Sequence, residues 1–283
     1  MKFLYIVSAF LCLTLCPAQN ITTFNKGKVN PKIYNTTIPY KDIKGLVIVD
    51  VVIKGKTYNF IVDTGAMSAI SGELYEQLRL QSGSEINVSD SSNLSQGMKV
   101  VTLPPVHVGD IAFEDVPAVV ANEDFFLRCL GIDGFIGSNM LRNSVVKFSY
   151  KDRTVSFTNK LKNFPVEKRH SAALLKDKMQ SNPYLQITLQ NPDTAGHETL
   201  MFDTGMVGLY DLSVSTYSSI KKFNVFTVLH QAKGAYSVGI NGTESPTDHY
   251  MLLLSHLDFA GVTFTNVTTT TTSDIKSRIG SQM

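Results

Sequence analysis

Tryptophan is absent and cysteine is scarce, with three in the whole chain. Two of those, Cys12 and Cys16, fall in the first residues, which read as an export signal. A processed chain would keep Cys129 alone, so no internal disulfide is available and stability must come from packing. Cys129, beside Leu127 and Leu130, reads as a small buried apolar residue rather than a nucleophilic thiol. Charge of one sign is also lacking. The formal net charge is +2 and no basic stripe occurs, so nucleic acid is not an expected partner. Several chemistries lack their motifs: there is no Gly-x-Ser-x-Gly elbow, no phosphate loop ending in Lys-Ser or Lys-Thr, and no His-Glu-x-x-His. His249 and His256 are the nearest histidine pair but have no third ligand, so they read as surface or flap residues and neither metal nor cofactor is expected.

The apolar residues, 43% against 18% charged, suffice for a folded globular protein. Lys2 followed by the apolar run 3–15 and Cys16-Pro17-Ala18 fits a signal peptide over residues 1–18. The run falls short of the roughly 20 residues of a spanning helix, so no stable membrane span is expected once it is removed. A periplasmic, outer-surface or secreted bacterial protein follows; lipid attachment at Cys16 is the lesser alternative, because Leu15 is larger than a lipidation signal normally allows.

Beyond the signal, residues 19–44 read as a polar lead-in. From Gly45 the chain turns strand-like, with β-branched 46–53, a Lys54-Gly55-Lys56 turn and apolar 58–62 forming a hairpin signature. A short helix is expected over 71–80, a second after Asn139, and another hairpin around Lys151-Asp152-Arg153. The charged stretch 161–182 separates a first unit, 45–160, from a second, 183–283. The two repeat each other. Asn59-Phe60-Ile61-Val62-Asp63-Thr64-Gly65 matches Thr199-Leu200-Met201-Phe202-Asp203-Thr204-Gly205; Ile111 to Val116 matches Val262 to Val267; Phe135-Ile136-Gly137-Ser138 matches Arg278-Ile279-Gly280-Ser281. The order is the same in both halves.

A lone Asp-Thr-Gly is a weak signal, and Asp with Gly also makes ordinary turns. Two copies, each after a hairpin and each followed by Ile-Gly-Ser, point to a pair of carboxylates. Two carboxylates within hydrogen-bond reach cannot both ionise readily, so the pair holds one proton. One oxygen then takes a proton from water while the other polarises a carbonyl. Gly65 and Gly205 would let the backbone turn sharply, and the Thr64 and Thr204 hydroxyls could tie the two loops together.

With these motifs the sequence resembles the retropepsin-like and pepsin-like aspartic proteases over most of the chain after residue 45. The resemblance implies an all-β, two-lobed acid protease fold of duplicated retropepsin-like β-barrel lobes. It implies catalysis by Asp63 and Asp203, a peptide or protein substrate, and a monomer, since both lobes lie in one chain. It also implies β-hairpin flaps. By position these are residues 91–97, with Asn93 and Gly97, and 234–247, with Tyr236 and Gly239; both stretches read equally well as surface turns. Ala66 after the first motif becomes Met206 after the second, which would crowd the site or shape a pocket. The second repeat stops at Met283, where the first continues to Phe157, so the second lobe reads as truncated and the chain as part of a longer protein. The threonine run 268–272 is expected on an exposed or edge strand. An endopeptidase is the leading reading; a non-catalytic peptide-binding relative is the alternative, and a structural envelope protein would need neither carboxylate.

Overall fold

The computed structural model describes residues 23–280 apart from 122–124, 167, 177, 192 and 275. The expected signal peptide and the Ser281 to Met283 end of the repeat lie outside the described residues. Among those described, no helix is long and apolar enough to cross a membrane.

The fold is two β lobes built on one plan. In the first, Leu46–Ile53 and Lys56–Asp63 form an antiparallel hairpin. Side chains alternate across the strand 46–53. Val47, Val49, Val51 and Ile53 enter one core with Phe60 and Phe113, whereas Leu46 and Ile48 enter a second with Ile61 and Met98. A central strand buried on both faces accounts for the continuous apolar run. The chain then returns through Gly134–Gly137, which pairs in parallel with the hairpin and sets Gly137 opposite Asp63. The second lobe repeats this: Ala195–Asp203 pairs in parallel with Arg278–Gly280, and Gly280 lies opposite Asp203.

The duplication extends to fine backbone detail. Ser71 caps the helix Gly72–Leu78 by accepting from Leu74 N, and Ser213 caps Val214–Ile220 by accepting from Thr216 N. Asp115 and Asn266, at matching repeat positions, both adopt the left-handed region, with φ of 56° and 54°; Asp and Asn tolerate it better than most residues. The second helix is not visible as a periodic pattern, because Val-Ser-Thr-Tyr-Ser-Ser-Ile is poor in helix formers and only the cap announces it.

Several expectations need correction. The lead-in is part of the first lobe: Lys28–Asn30 pairs with Ile111–Glu114, and Asn35–Pro39 completes a three-stranded sheet with Val145–Ser149 and Thr154–Thr158. Its polar composition hid this, since the two strands bury Thr36 alone and the residues around them add Phe24, Tyr34 and Tyr40. Cys129 is exposed, because on the helix Phe125–Leu130 it lies about 200° round from the buried Leu127. The threonine run is interior. It ends Val262–Thr272, which pairs with Thr247–Phe259 on one side and Tyr210–Ser213 on the other. Thr269, Thr271 and Thr272 are buried, and the Thr269 hydroxyl donates to Tyr210 O at 2.7 Å.

Phe157, fully buried, meets Phe113 edge-on at 6.4 Å between ring centroids. Phe157→Ala removes this contact and leaves a cavity, so chemical denaturation should show the first lobe losing about 3–5 kcal/mol.

Candidate active site

Asp63 and Asp203 each end a strand whose preceding residues, Val62 and Phe202, anchor it in its own lobe. The lobes meet here through their threonines. The Thr64 hydroxyl donates to Phe202 O at 2.6 Å and accepts from Thr204 N at 3.1 Å. The Thr204 hydroxyl donates to Val62 O at 2.7 Å and accepts from Thr64 N at 3.1 Å. These bonds join the two loops across the lobe boundary with near-twofold symmetry. Both threonines are buried, so water does not compete.

The glycines serve closeness more than turning. Neither Gly65 nor Gly205 has positive φ. A Cβ at Gly65 would sit 2.5 Å from Cγ of Asp203, and one at Gly205 would collide in the same way with the Asp63 carboxyl. Each glycine therefore makes room for the carboxylate of the opposite lobe.

The two carboxyls are neighbours, each set against the glycine that follows the other. Oδ1 of Asp63 accepts from Gly65 N at 2.8 Å and Ala66 N at 3.0 Å. Oδ1 of Asp203 accepts from Gly205 N at 2.8 Å, while its Oδ2 faces Nη1 of Arg278 at 3.2 Å. Burial first, and the Asp203 charge second, push the Asp63 carboxyl well above the usual carboxylate range; the two backbone N–H groups oppose this. Arg278 also lies 3.5 Å from Asp211 and 3.5 Å from Asp274.

The dyad forms the floor of a cavity of about 350 Å³. On the first-lobe side its wall is apolar, with Ile61, Ala69, Val119 and Phe135; the second-lobe side brings Tyr184, Met201, Lys276 and Arg278. Two hairpin tips roof it. The turn between Ser84–Ser89 and Ser95–Thr102 meets the loop around residues 237–242 of the other lobe. Asp90 accepts from Asn241 N at 2.6 Å, and the Asn241 amide donates to Val88 O and Leu94 O at 2.9 and 3.0 Å. The Ser92 hydroxyl donates to Gly242 O at 2.9 Å and the Ser237 hydroxyl to Ser91 O at 3.0 Å.

Of the four flap residues singled out from the sequence, Gly239 lines the cavity and the others do not. Asn93 occupies the outer tip of its turn with φ 58°. Gly97 lies back along its strand against Glu85. Tyr236 packs on the His249 ring at 4.5 Å and is largely solvent-facing. His249 itself is buried, held between Thr271 O at 2.7 Å and Glu244 at 2.9 Å, so its place is structural and not at the surface. Met206 is buried against Gly208 and Gly280 and does not line the cavity, whereas Ala66 does. Among the described residues, no cluster of His, Cys, Asp or Glu has metal-site geometry.

Sequence reasoning missed three supports. Asn182, at the end of the connecting stretch, donates to Thr64 O and Gly65 O at 3.0 and 2.8 Å. Asn139 accepts from Ser68 N at 2.8 Å and donates to Pro117 O at 3.0 Å, fixing the loop beyond Asp63. Arg278 was paired with Phe135 in the repeat; the charge appearing where the other copy is apolar was the available signal.

Thr204→Val deletes one donor and one acceptor and strands Thr64 N and Val62 O. At about 1–3 kcal/mol per buried unpaired group, denaturation should show a loss of about 2–6 kcal/mol, with Thr204→Ser near wild type. Asp63 gives a second test. The folded state binds its proton more tightly than the unfolded state, whose reference value is 3.8. Its contribution to stability is full below that value and declines as pH rises through the folded pKa. Asn at this position has no such decline, so the Asp63→Asn midpoint should gain on wild type as pH rises from about 4 through the folded-state value.

Residues 49–140 match the family model described as aspartyl protease. No curated protein matches the chain. Among solved structures it is similar to a retropepsin-like aspartic protease from Rickettsia conorii, at 17% identity over 47% of this chain and 93% of that one, with a TM-score of 0.33. It is also similar to an aspartic proteinase from Irpex lacteus, at 13% identity over 82% of this chain and 78% of that one, with a TM-score of 0.45. The segment that carries Asp63 thus has an aspartyl protease family match.

Proposed function

We propose that this chain is an aspartic endopeptidase that hydrolyses peptide bonds with a water activated by Asp63 and Asp203. The observation that carries the reading is the close approach of two carboxyls from two lobes at the floor of a roofed cavity, each against the glycine that follows the other. The pair shares one proton, and its titration belongs to both members. The ionised carboxylate takes a proton from water as the water oxygen bonds to the peptide carbonyl carbon. The protonated carboxyl gives its proton to the carbonyl oxygen, forming a gem-diol. Collapse of that intermediate breaks the C–N bond, and the leaving nitrogen receives a proton from the dyad.

The apolar first-lobe wall suits a hydrophobic substrate side chain, and an extended peptide fits the space beneath two hairpin tips. The chain would act as a single molecule, because both carboxylates come from it. With the apolar leader in the sequence, action outside the cytoplasm is part of the same proposal.

Purified protein assayed on a mixed peptide library should show cleavage with a bell-shaped pH dependence. Its alkaline limb should lie above the ordinary carboxylate range, where Asp63 gives up its proton. Asp63→Asn and Asp203→Asn should each lower kcat/KM by at least about 100-fold. Undiminished turnover in either variant rules out the dyad. Peptide binding without cleavage by the wild type assigns the peptide-binding reading instead.

A further inference from the structure

Asp63 and Asp203 end equivalent strands in the same register, but the cavity walls beside them differ. Phe135 and Arg278 occupy equivalent places: each lies one residue before the Ile-Gly pair, on the short strand paired in parallel with the strand that ends in its own lobe's Asp. Phe135 is apolar. Arg278 places a guanidinium 3.2 Å from Asp203 Oδ2, with its side chain 11% exposed.

We propose that Arg278 is a positioning residue that holds Asp203 as the ionised member of the pair and so assigns the shared proton to Asp63. The inference rests on the dyad reading above and specifies which carboxyl plays which part. By backbone donors alone the assignment would run the other way, since Asp63 accepts two N–H groups and Asp203 one. A charge-assisted bond is roughly twice as strong as a neutral one, and a pair this buried is little screened by salt. The arginine therefore outweighs the extra amide. Asp203 becomes the base that takes the proton from water, and Asp63 the acid that protonates the carbonyl.

The guanidinium is shared, which limits how strongly it acts. Asp203 faces it from the strand Ala195–Asp203, Asp211 from Tyr210–Ser213 and Asp274 from the bend before its own strand. Asp63 lies beyond Asp203, and Lys276, on the same wall, turns to the Tyr184 hydroxyl at 2.8 Å. Burial, only partly offset by Arg278, raises Asp211 to about 6. Below that pH Asp211 is protonated, and Arg278 is left to fewer anions. The arrangement suits an enzyme working on the acid side of neutrality.

Two measurements test this, one with turnover and one without. An opposite charge at this range lowers an Asp pKa by roughly one to three units. Arg278→Gln should therefore move the acid limb of the kcat/KM–pH profile up by about one unit or more, and Arg278→Lys should restore most of it. A purely structural arginine would lower activity and leave the limb in place; that result overturns the proposal, as does a lysine variant that folds but does not restore the limb. The second measurement is carboxyl carbon NMR on wild-type protein labelled at aspartate, which needs no arginine variant to fold. The signal missing from Asp63→Asn should titrate above the ordinary value of about 3.9, and above the one missing from Asp203→Asn. The reverse order overturns the assignment. Absence of any cleavage would sink the protease reading, while the NMR order would still decide which carboxyl holds the proton.

Discussion

Two carboxyl groups pressed together from opposite lobes are the constraint that the rest of this molecule answers. Unit charges about 4 Å apart repel by about 4 kcal/mol at the effective dielectric of a protein site. The threonine bonds across the boundary, four in number, are worth about 1 kcal/mol apiece in net terms. The two quantities are of similar size, so the lock can hold the loops together but leaves little surplus against a doubly ionised pair. Keeping one proton on the dyad removes the repulsion. The chemistry proposed for the site and the cohesion of the lobes therefore rest on the same protonation state.

Duplication explains which features of the two lobes agree and which diverge. Where backbone geometry leaves few options, both copies keep the same solution: serine at the helix cap, Asp115 or Asn266 in the left-handed region, glycine facing the opposite carboxylate. Where the backbone sets no such demand on the side chain, the copies differ, and Phe135 against Arg278 and Ala66 against Met206 are the outcome. The first pair alters the electrostatics of the cavity. The second alters packing beneath it, because the Met206 side chain packs beside Gly280 together with the Gly208 backbone, where the first lobe has backbone of residues 66–68 alone.

That division also sets what could be read from sequence. The Asp-Thr-Gly repeats, the hairpins and the capped helix 72–78 are local patterns, and the residues that make them are neighbours in the chain. The supports of the site are not. Asn182 reaches the loop of Asp63 from 117 or more residues away, and Asn241 reaches Asp90 across 151. No spacing rule connects such pairs. Burial misled in the same way for polar residues: His249 and Thr269 to Thr272 read as surface because their type usually is, yet long strand pairing supplies their partners. The lead-in was misjudged for the complementary reason, since a strand that closes a sheet needs backbone groups more than apolar side chains.

The roof connects this architecture to access. Its bonds join side chains of one hairpin to backbone of the other, with Asp90, Ser92, Ser237 and Asn241 at the centre. Such groups find water when they part, so each bond costs only about 0.5–1.5 kcal/mol to open. Ile240, partly buried against the core that holds Ile48 and Met98, adds an apolar contribution. The sum is a few kcal/mol, and the roof can part while the four buried threonine bonds between the lobes stay made. Opening is therefore expected to start at the roof and to leave the dyad assembled. An extended peptide that enters can then bond to the hairpin backbone as a strand would, replacing part of what the roof gave up.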